Sequence, residues 1–370
     1  MARGHEPVLV LRDVIEPGHF LKDEPYPILQ GPTWTRPAPS VRGRPFSAAS
    51  FADILAVTGF ANADELMAML RAWDGLLSYV RPDVVVAEYA PLLVLATRGR
   101  IPTVFFGTGF TVPPANVPQY PAIQPKIEPI MPAERILGNV QEVQRRRRAP
   151  VPPNLPAVLA CERRFACTFP EIDPYRQVRR EPVIPPLEDL PPLLAPPKEP
   201  RFFAYLAADA SGLNKVLGGI VKSGVAGSIF LRHPSPQLKE AVKKTRIVLF
   251  EEPQPLAVAL RDASFVIHHG GAGTSEACLT AGRAQILYPR HLEQSLTAAA
   301  LRDQGIALII GRNATEEAVA GAVKQAATDV AAMERAQRLA QTIAARGPRP
   351  GVAPIVAACE QLLAAKRAAI

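Results

Sequence analysis

Between Pro182 and Pro200 the chain reads PVIPPLEDLPPLLAPPKEP, eight prolines in nineteen residues. Each proline fixes φ and removes an amide donor, so this stretch can form neither a helix nor an inner strand. Whatever the chain folds into must be built as two bodies on either side of a semi-rigid linker. Length agrees, since 370 residues exceed one ordinary domain. The expected division is a first domain over 1–181, a linker over 182–200 and a second domain over 201–350. A terminal helix over 351–370 is expected to pack back toward the first domain.

Both halves alternate strand-like and helical patterns. In the first, PVLVLRD (Pro7 to Asp13), DVVVAE and PTVFFG read as strands, and Pro91 to Thr97 as a short helix. Leu66, Met69, Leu70, Trp73, Leu76 and Leu77 recur at helical spacing over Ala63 to Tyr79, and Val112 to Pro132 reads as a loop. In the second, strands are predicted at Phe202–Leu206, Gly227–Leu231, Ile247–Phe250, Ser264–His268, Gln285–Tyr288 and Ala307–Ile310. Helices are predicted over Glu316–Ala327, Ala331–Ala345 and about Val352–Lys366. Such alternation implies parallel sheets with crossover helices, that is, an α/β chain of two doubly wound, Rossmann-like domains.

Composition narrows the function classes. With 48% hydrophobic and 21% charged residues the balance is globular rather than disordered. No apolar run reaches membrane-span length and no signal-peptide pattern opens the chain, so the cytoplasm is the expected location. The four cysteines follow no zinc spacing and read as reduced thiols, although Cys161 and Cys167 could pair. The net charge of +8 includes the run Arg145–Arg148, which lacks interleaved aromatics. It reads as a solvated, helix-borne patch facing an anionic ligand or a membrane surface, and not as a nucleic-acid site.

The chemistry-bearing stretch is SFVIHHGGAGTSEACLTAGRAQILYPRHLEQ, residues 264–294. An apolar strand enters two histidines, a glycine turn and a helix start, at the carboxyl end of a strand where open α/β sheets bind ligands. Gly270, Gly271 and Gly273 let the backbone turn sharply and expose amides. The helix near Thr274 offers unpaired N–H groups and the positive end of its dipole, which together suit a phosphate. The plain alternative is a turn that only lets helix and strand pack. A metal is disfavoured because adjacent strand residues, His268 and His269, point to opposite faces.

From Glu252 to Gln294 these residues resemble the donor-binding signature of GT-B fold glycosyltransferases. The group includes plant and bacterial UDP-sugar-dependent glucosyltransferases and macrolide or glycopeptide glycosyltransferases. Pro253-Gln254, HHGGAGT and Glu293-Gln294 match three of its elements in order, and YPILQGP, GTGFTVPP and TFPEIDPY are weaker similarities elsewhere. The resemblance implies that His269, Gly270, Gly271, Gly273 and Thr274 hold the diphosphate of a nucleotide sugar. Gln254 would lie near the base, while Glu293 and Gln294 would bond the sugar hydroxyls, a carboxylate and an amide supplying both acceptors and donors. It also implies that 201–350 binds the donor and that 1–181 cups an apolar acceptor beside Trp34, Phe60 and Phe110.

The chain departs from the family where plant members carry a stacking Trp, here Glu251, and where Gly-Val-Pro is expected, here Gly282-Arg283-Ala284. The helix glutamate is displaced by one position, to Glu276. MARGHEPVLVLRD resembles the end of the family's first helix and its second strand, so the first domain as given is expected to be incomplete; either the true start lies upstream, or the protein lacks the first strand and the loop that carries the usual base. His5 then reads as structural, while Glu88 and, less aptly, His19 are the candidate bases. The function expected is transfer of a hexose from a UDP or dTDP sugar to a hydroxyl of a small apolar acceptor, inverting and metal-independent. No cofactor is expected beyond the nucleotide-sugar co-substrate. The alternatives are a non-catalytic nucleotide-sugar-binding protein, and an epimerase or hydrolase on the same fold.

Overall fold

A computed structural model describes residues 4–15, 21–37, 46–208, 210 and 212–368. In the first half, β1 (Leu9–Leu11) and β2 (Ile28–Gln30) form a parallel pair. A four-stranded parallel sheet follows, in the order β3 (Val85–Glu88), β4 (Thr103–Gly107), β5 (Arg163–Cys167) and β6 (Val183–Ile184). Both sheets contribute to one core, in which Val10, Val85, Ala87 and Phe105 meet Leu66, Leu70, Trp73 and Leu77. These last four line one face of the helix Ala63–Val80. The helix starts at Asn62, whose side chain accepts from the amides of Asp64 and Glu65, and stops at Arg81 in the left-handed region. Linker residues Val183–Ile184 sit at a sheet edge, the position that proline-flanked strands tolerate.

The second half is one six-stranded parallel sheet. Its order is β12 (Ala307–Ile309), β11 (Ala284–Leu287), β10 (Phe265–His268), β7 (Phe202–Tyr205), β8 (Gly227–Phe230) and β9 (Ile247–Phe250). The order reverses between β7 and β10, which opens a crevice at their carboxyl ends. Helices Leu213–Ser223 and Glu316–Thr328 cross closely below the sheet, where a Cβ on Gly219 would stand 2.5 Å from the Val319 Cβ. Among the described residues no helix is long and apolar enough to cross a membrane.

The halves touch through named contacts. Phe169 and Ile172 pack with Leu287, Ala298 and Leu301. Gln304 donates to the Glu171 carbonyl at 2.9 Å, and Arg346 pairs with the Glu171 carboxylate. The helix Ala353–Ala368 returns to the first sheet, setting Ile355 and Ala358 against Val104 and Cys167, and Lys366 Nζ 2.8 Å from Asp83 Oδ1. The buried Arg283 accounts for the unexpected residue in Gly-Arg-Ala. It donates to the carbonyls of Leu260, Leu194 and Ala195, which fastens the linker's end to the second domain. The Arg145–Arg148 run is partly neutralised: Arg147 bonds Asp74 and Arg146 pairs with Asp64 and Glu142, while Arg145 and Arg148 are exposed. All four cysteines are free thiols.

Candidate functional site

An open cleft of about 500 Å³ lies over the β10–β7 crevice. Its lining comes from three strand ends and the loops that leave them: Tyr205 to Ala208, Phe230 and Arg232, and His268, His269, Gly271 and Thr274, with Gln294 from across. The helix Ala272–Ala281 begins here with Gly271 as its N-cap and no side-chain capping bond. Its first-turn amides, at Ala272, Gly273 and Thr274, have no intrahelical acceptor, Gly271 and Thr274 line the cleft, and no acidic residue occupies that turn. An anion is the ligand this arrangement suits.

The two histidines hold that geometry, each in a different tautomer. His268 is 1% exposed; its Nε2–H donates to Gln285 Oε1 at 2.9 Å and its Nδ1 accepts from the Gly270 amide at 3.1 Å. Burial pushes its pKa down to about 4, with the Gln285 bond opposing and His269 adding to the shift, so the ring is neutral. His269 Nε2 accepts from the Ala207 amide at 2.9 Å, which leaves Nδ1 to donate to the Tyr288 carbonyl at 2.8 Å. Hence His269 joins the ends of β7, β10 and β11. Both ring nitrogens of His269 are thus bonded to protein backbone, and the free donors at this turn are backbone amides.

Gly270 supplies the turn with φ +87°, and a Cβ there would lie 3.1 Å from the Gln294 carbonyl oxygen. Gly271 has φ −61° and open space around it. Gly270→Ala is therefore expected to cost about 2 kcal/mol or more, from the left-handed backbone and the contact together. Gly271→Ala should be nearly neutral, and urea unfolding of the two variants compares them.

The cleft-bearing half of the chain resembles a known protein family. Residues 231–362 match the erythromycin biosynthesis protein CIII-like C-terminal domain. O-mycaminosyltylonolide 6-deoxyallosyltransferase of Streptomyces fradiae is 39% identical over 82 residues, 22% of this chain and 19% of that protein's length. The calicheamicin glycosyltransferase CalG4 superposes with a TM-score of 0.61 at 16% identity, over 98% of this chain and 92% of its own. SsfS6, a glycosyltransferase of Streptomyces sp. SF2575 solved with thymidine diphosphate, gives 0.58 at 19% identity, over 97% and 92%. This chain has the GT-B fold.

In that GT-B frame the remaining expected residues scatter. Thr274, Gly271 and Gln294 meet in the cleft, and Gly270 and Gly273 belong to its turn and helix start. Gln294 Oε1 accepts from the Arg290 amide at 2.8 Å. Glu293, its neighbour on the helix Leu292–Asp303, points instead to the first domain and accepts from Thr108 Oγ1 at 2.8 Å. It lines a gap of only about 10 Å³ with Thr108, Gly109 and Phe110. Gln254 is outside the cleft lining, and its amide donates to the Glu252 carbonyl at 3.1 Å.

On the acceptor side Phe110 lines the gap beside Glu293, but Trp34 and Phe60 line neither the gap nor the cleft. Phe60 is fully buried in the first core, which corrects its reading as an acceptor contact, and Trp34 covers Gly59 with Arg36 over its ring. Glu88 ends β3 exposed. His19 lies outside the described residues.

Two residues near the seam were not anticipated in these roles. Tyr89, just after Glu88, has φ +40°; partial burial and the Glu293 carboxylate raise its hydroxyl to about 12 against the pull of Arg12. Glu276 is 2% exposed with Oε1 unpartnered. Burial first, then Glu188 and Glu293, push its carboxyl up to about 8, with Arg349 opposing.

Proposed function

We propose that this chain transfers a hexose from a UDP or dTDP sugar to a hydroxyl of a small apolar acceptor. The observation that carries the reading is the uncapped helix start at Gly271–Thr274, opening into a roomy cleft at the point where strand order reverses. The thymidine diphosphate in the SF2575 enzyme and the match over 231–362 support a nucleotide sugar as donor. The diphosphate lies on the amides of Ala272, Gly273 and Thr274, and these meet the charge that grows on the leaving oxygen. The acceptor oxygen bonds to the anomeric carbon as the carbon–diphosphate bond breaks, inverting the configuration. The acceptor's proton passes to a base, for which exposed Glu88 is the candidate. Glu293 and Gln294 take the sugar hydroxyls, Glu293 exchanging its Thr108 bond for one of them.

The test is mass spectrometry of reactions with UDP-glucose and dTDP-glucose over a panel of apolar hydroxylated acceptors. One nucleoside diphosphate released per glycosylated acceptor is the expected result. Donor consumed with every acceptor unchanged would show a hydrolase, and a donor bound but never consumed would show a binding protein.

A further inference from the structure

Gln254 turns back on its own loop, and Glu251 is paired with Lys239 at 2.7 Å, so neither side chain lines the cleft. A different surface faces it. Tyr205 ends β7 level with Phe230 on one side and His268 on the other. Its ring stacks on Phe230 at 5.4 Å and 19°, and on Phe203 at 6.4 Å and 24°. Phe203 and Phe230 are buried, whereas Tyr205, which neighbours both, is 39% exposed and lines the cleft. Beside it stands Arg232, exposed and lining the same cleft. His233 follows with φ +56°, a conformation uncommon for a residue with a side chain, and sets the direction in which the loop leaves.

From this geometry we infer that Tyr205 and Arg232 form the nucleobase end of the donor cleft, Tyr205 as a stacking platform and Arg232 as a donor to the base's carbonyl oxygens. The inference rests on the nucleotide-sugar reading above and goes beyond it by naming the base-binding residues. Strand spacing supports it: from β10, beside the amides, to β8 is two spacings, about 10 Å, so the phosphates and the base would lie over different strands of one sheet. A flat aromatic face accepts any base, while the planar guanidinium favours those with carbonyl oxygens, as uracil and thymine have.

The test is calorimetry of UDP, thymidine diphosphate and inorganic pyrophosphate on the full chain and on Tyr205→Ala, Tyr205→Phe and Arg232→Ala. Tyr205→Ala should weaken both nucleotides about tenfold and leave pyrophosphate unchanged, while Tyr205→Phe keeps the affinity of the unmodified chain. Arg232→Ala should weaken both nucleotides severalfold. If Tyr205→Ala and Arg232→Ala bind the nucleotides as the unmodified chain does, the base-site assignment is wrong although the donor reading stands. A parallel loss of pyrophosphate affinity in Tyr205→Ala also overturns it, since the effect would then be on the cradle. An unmodified chain that binds neither nucleotide overturns both readings.

Discussion

Asp173→Ala is expected to destabilise the first domain by about 3 kcal/mol, because it strips a buried guanidinium of its closest counter-charge and leaves only Glu181, at 3.8 Å. Arg179 and Asp173 are 3% and 2% exposed at their side chains and pair at 2.6 Å. The same guanidinium donates to the Gly109 carbonyl at 2.8 Å and lies over the Tyr175 ring. Gly109 adjoins Thr108, the residue that bonds Glu293, so the ion pair fixes the loop facing the seam. Arg164 holds the same loop farther on, at the Pro113 carbonyl, and is itself paired with Glu181. Thermal melting should show a large fall for Asp173→Ala and a smaller one for Asp173→Ala with Arg179→Met, where no unpaired charge remains. Equal melting of the single and double variants would remove charge burial as the cause.

Glu276→Gln should stabilise the protein in alkaline solution and leave it nearly unchanged in acid. The carboxyl's folded pKa, about 8, is above its ordinary value of 4.5. Between those values the folded chain keeps a proton that the unfolded chain releases, so stability falls as pH rises through that window. Each pH unit of the window removes up to about 1.4 kcal/mol, so the full effect by pH 8 is a few kcal/mol. Glutamine has the same shape and no titration. The gap in melting temperature between variant and unmodified protein should therefore widen from pH 5 to pH 8. A gap that does not change with pH would mean that Glu276 is charged in the fold.

The second domain was legible to within a residue or so because its strands are short apolar runs between turn signals. IVLF forms β9 over the residues the pattern marks; in the first domain, too, Pro91 starts its helix where a missing amide does no harm. β5 was harder to see, since RRFAC opens with two arginines. Arg164 is accommodated inside because Glu181, seventeen residues on, pairs with it and the Pro113 carbonyl accepts from it. The glycine turn was equally legible, its conformation being a local matter. What His269 does was not, for its partners Ala207 and Tyr288 lie 62 and 19 residues away. A weaker clue was present in Gln285, a polar residue inside the apolar run AQIL, which is buried because His268 donates to it. Tyr205 and Arg232 likewise became a pair only when β7 was laid beside β8.

The return of the helix Ala353–Ala368 to the first sheet means that the chain crosses between the domains a second time after the proline linker. A body joined to another at one point can tumble; one joined at two keeps chiefly the rotation about the line through both. Any opening of the Thr108–Glu293 gap would then be a twist about a fixed axis, with the cleft beside Gly271 and Thr274 carried whole on one side. Lys366 and Asp83, 2.8 Å apart beside one of those attachments, should accordingly keep their distance while Thr108 and Glu293 separate.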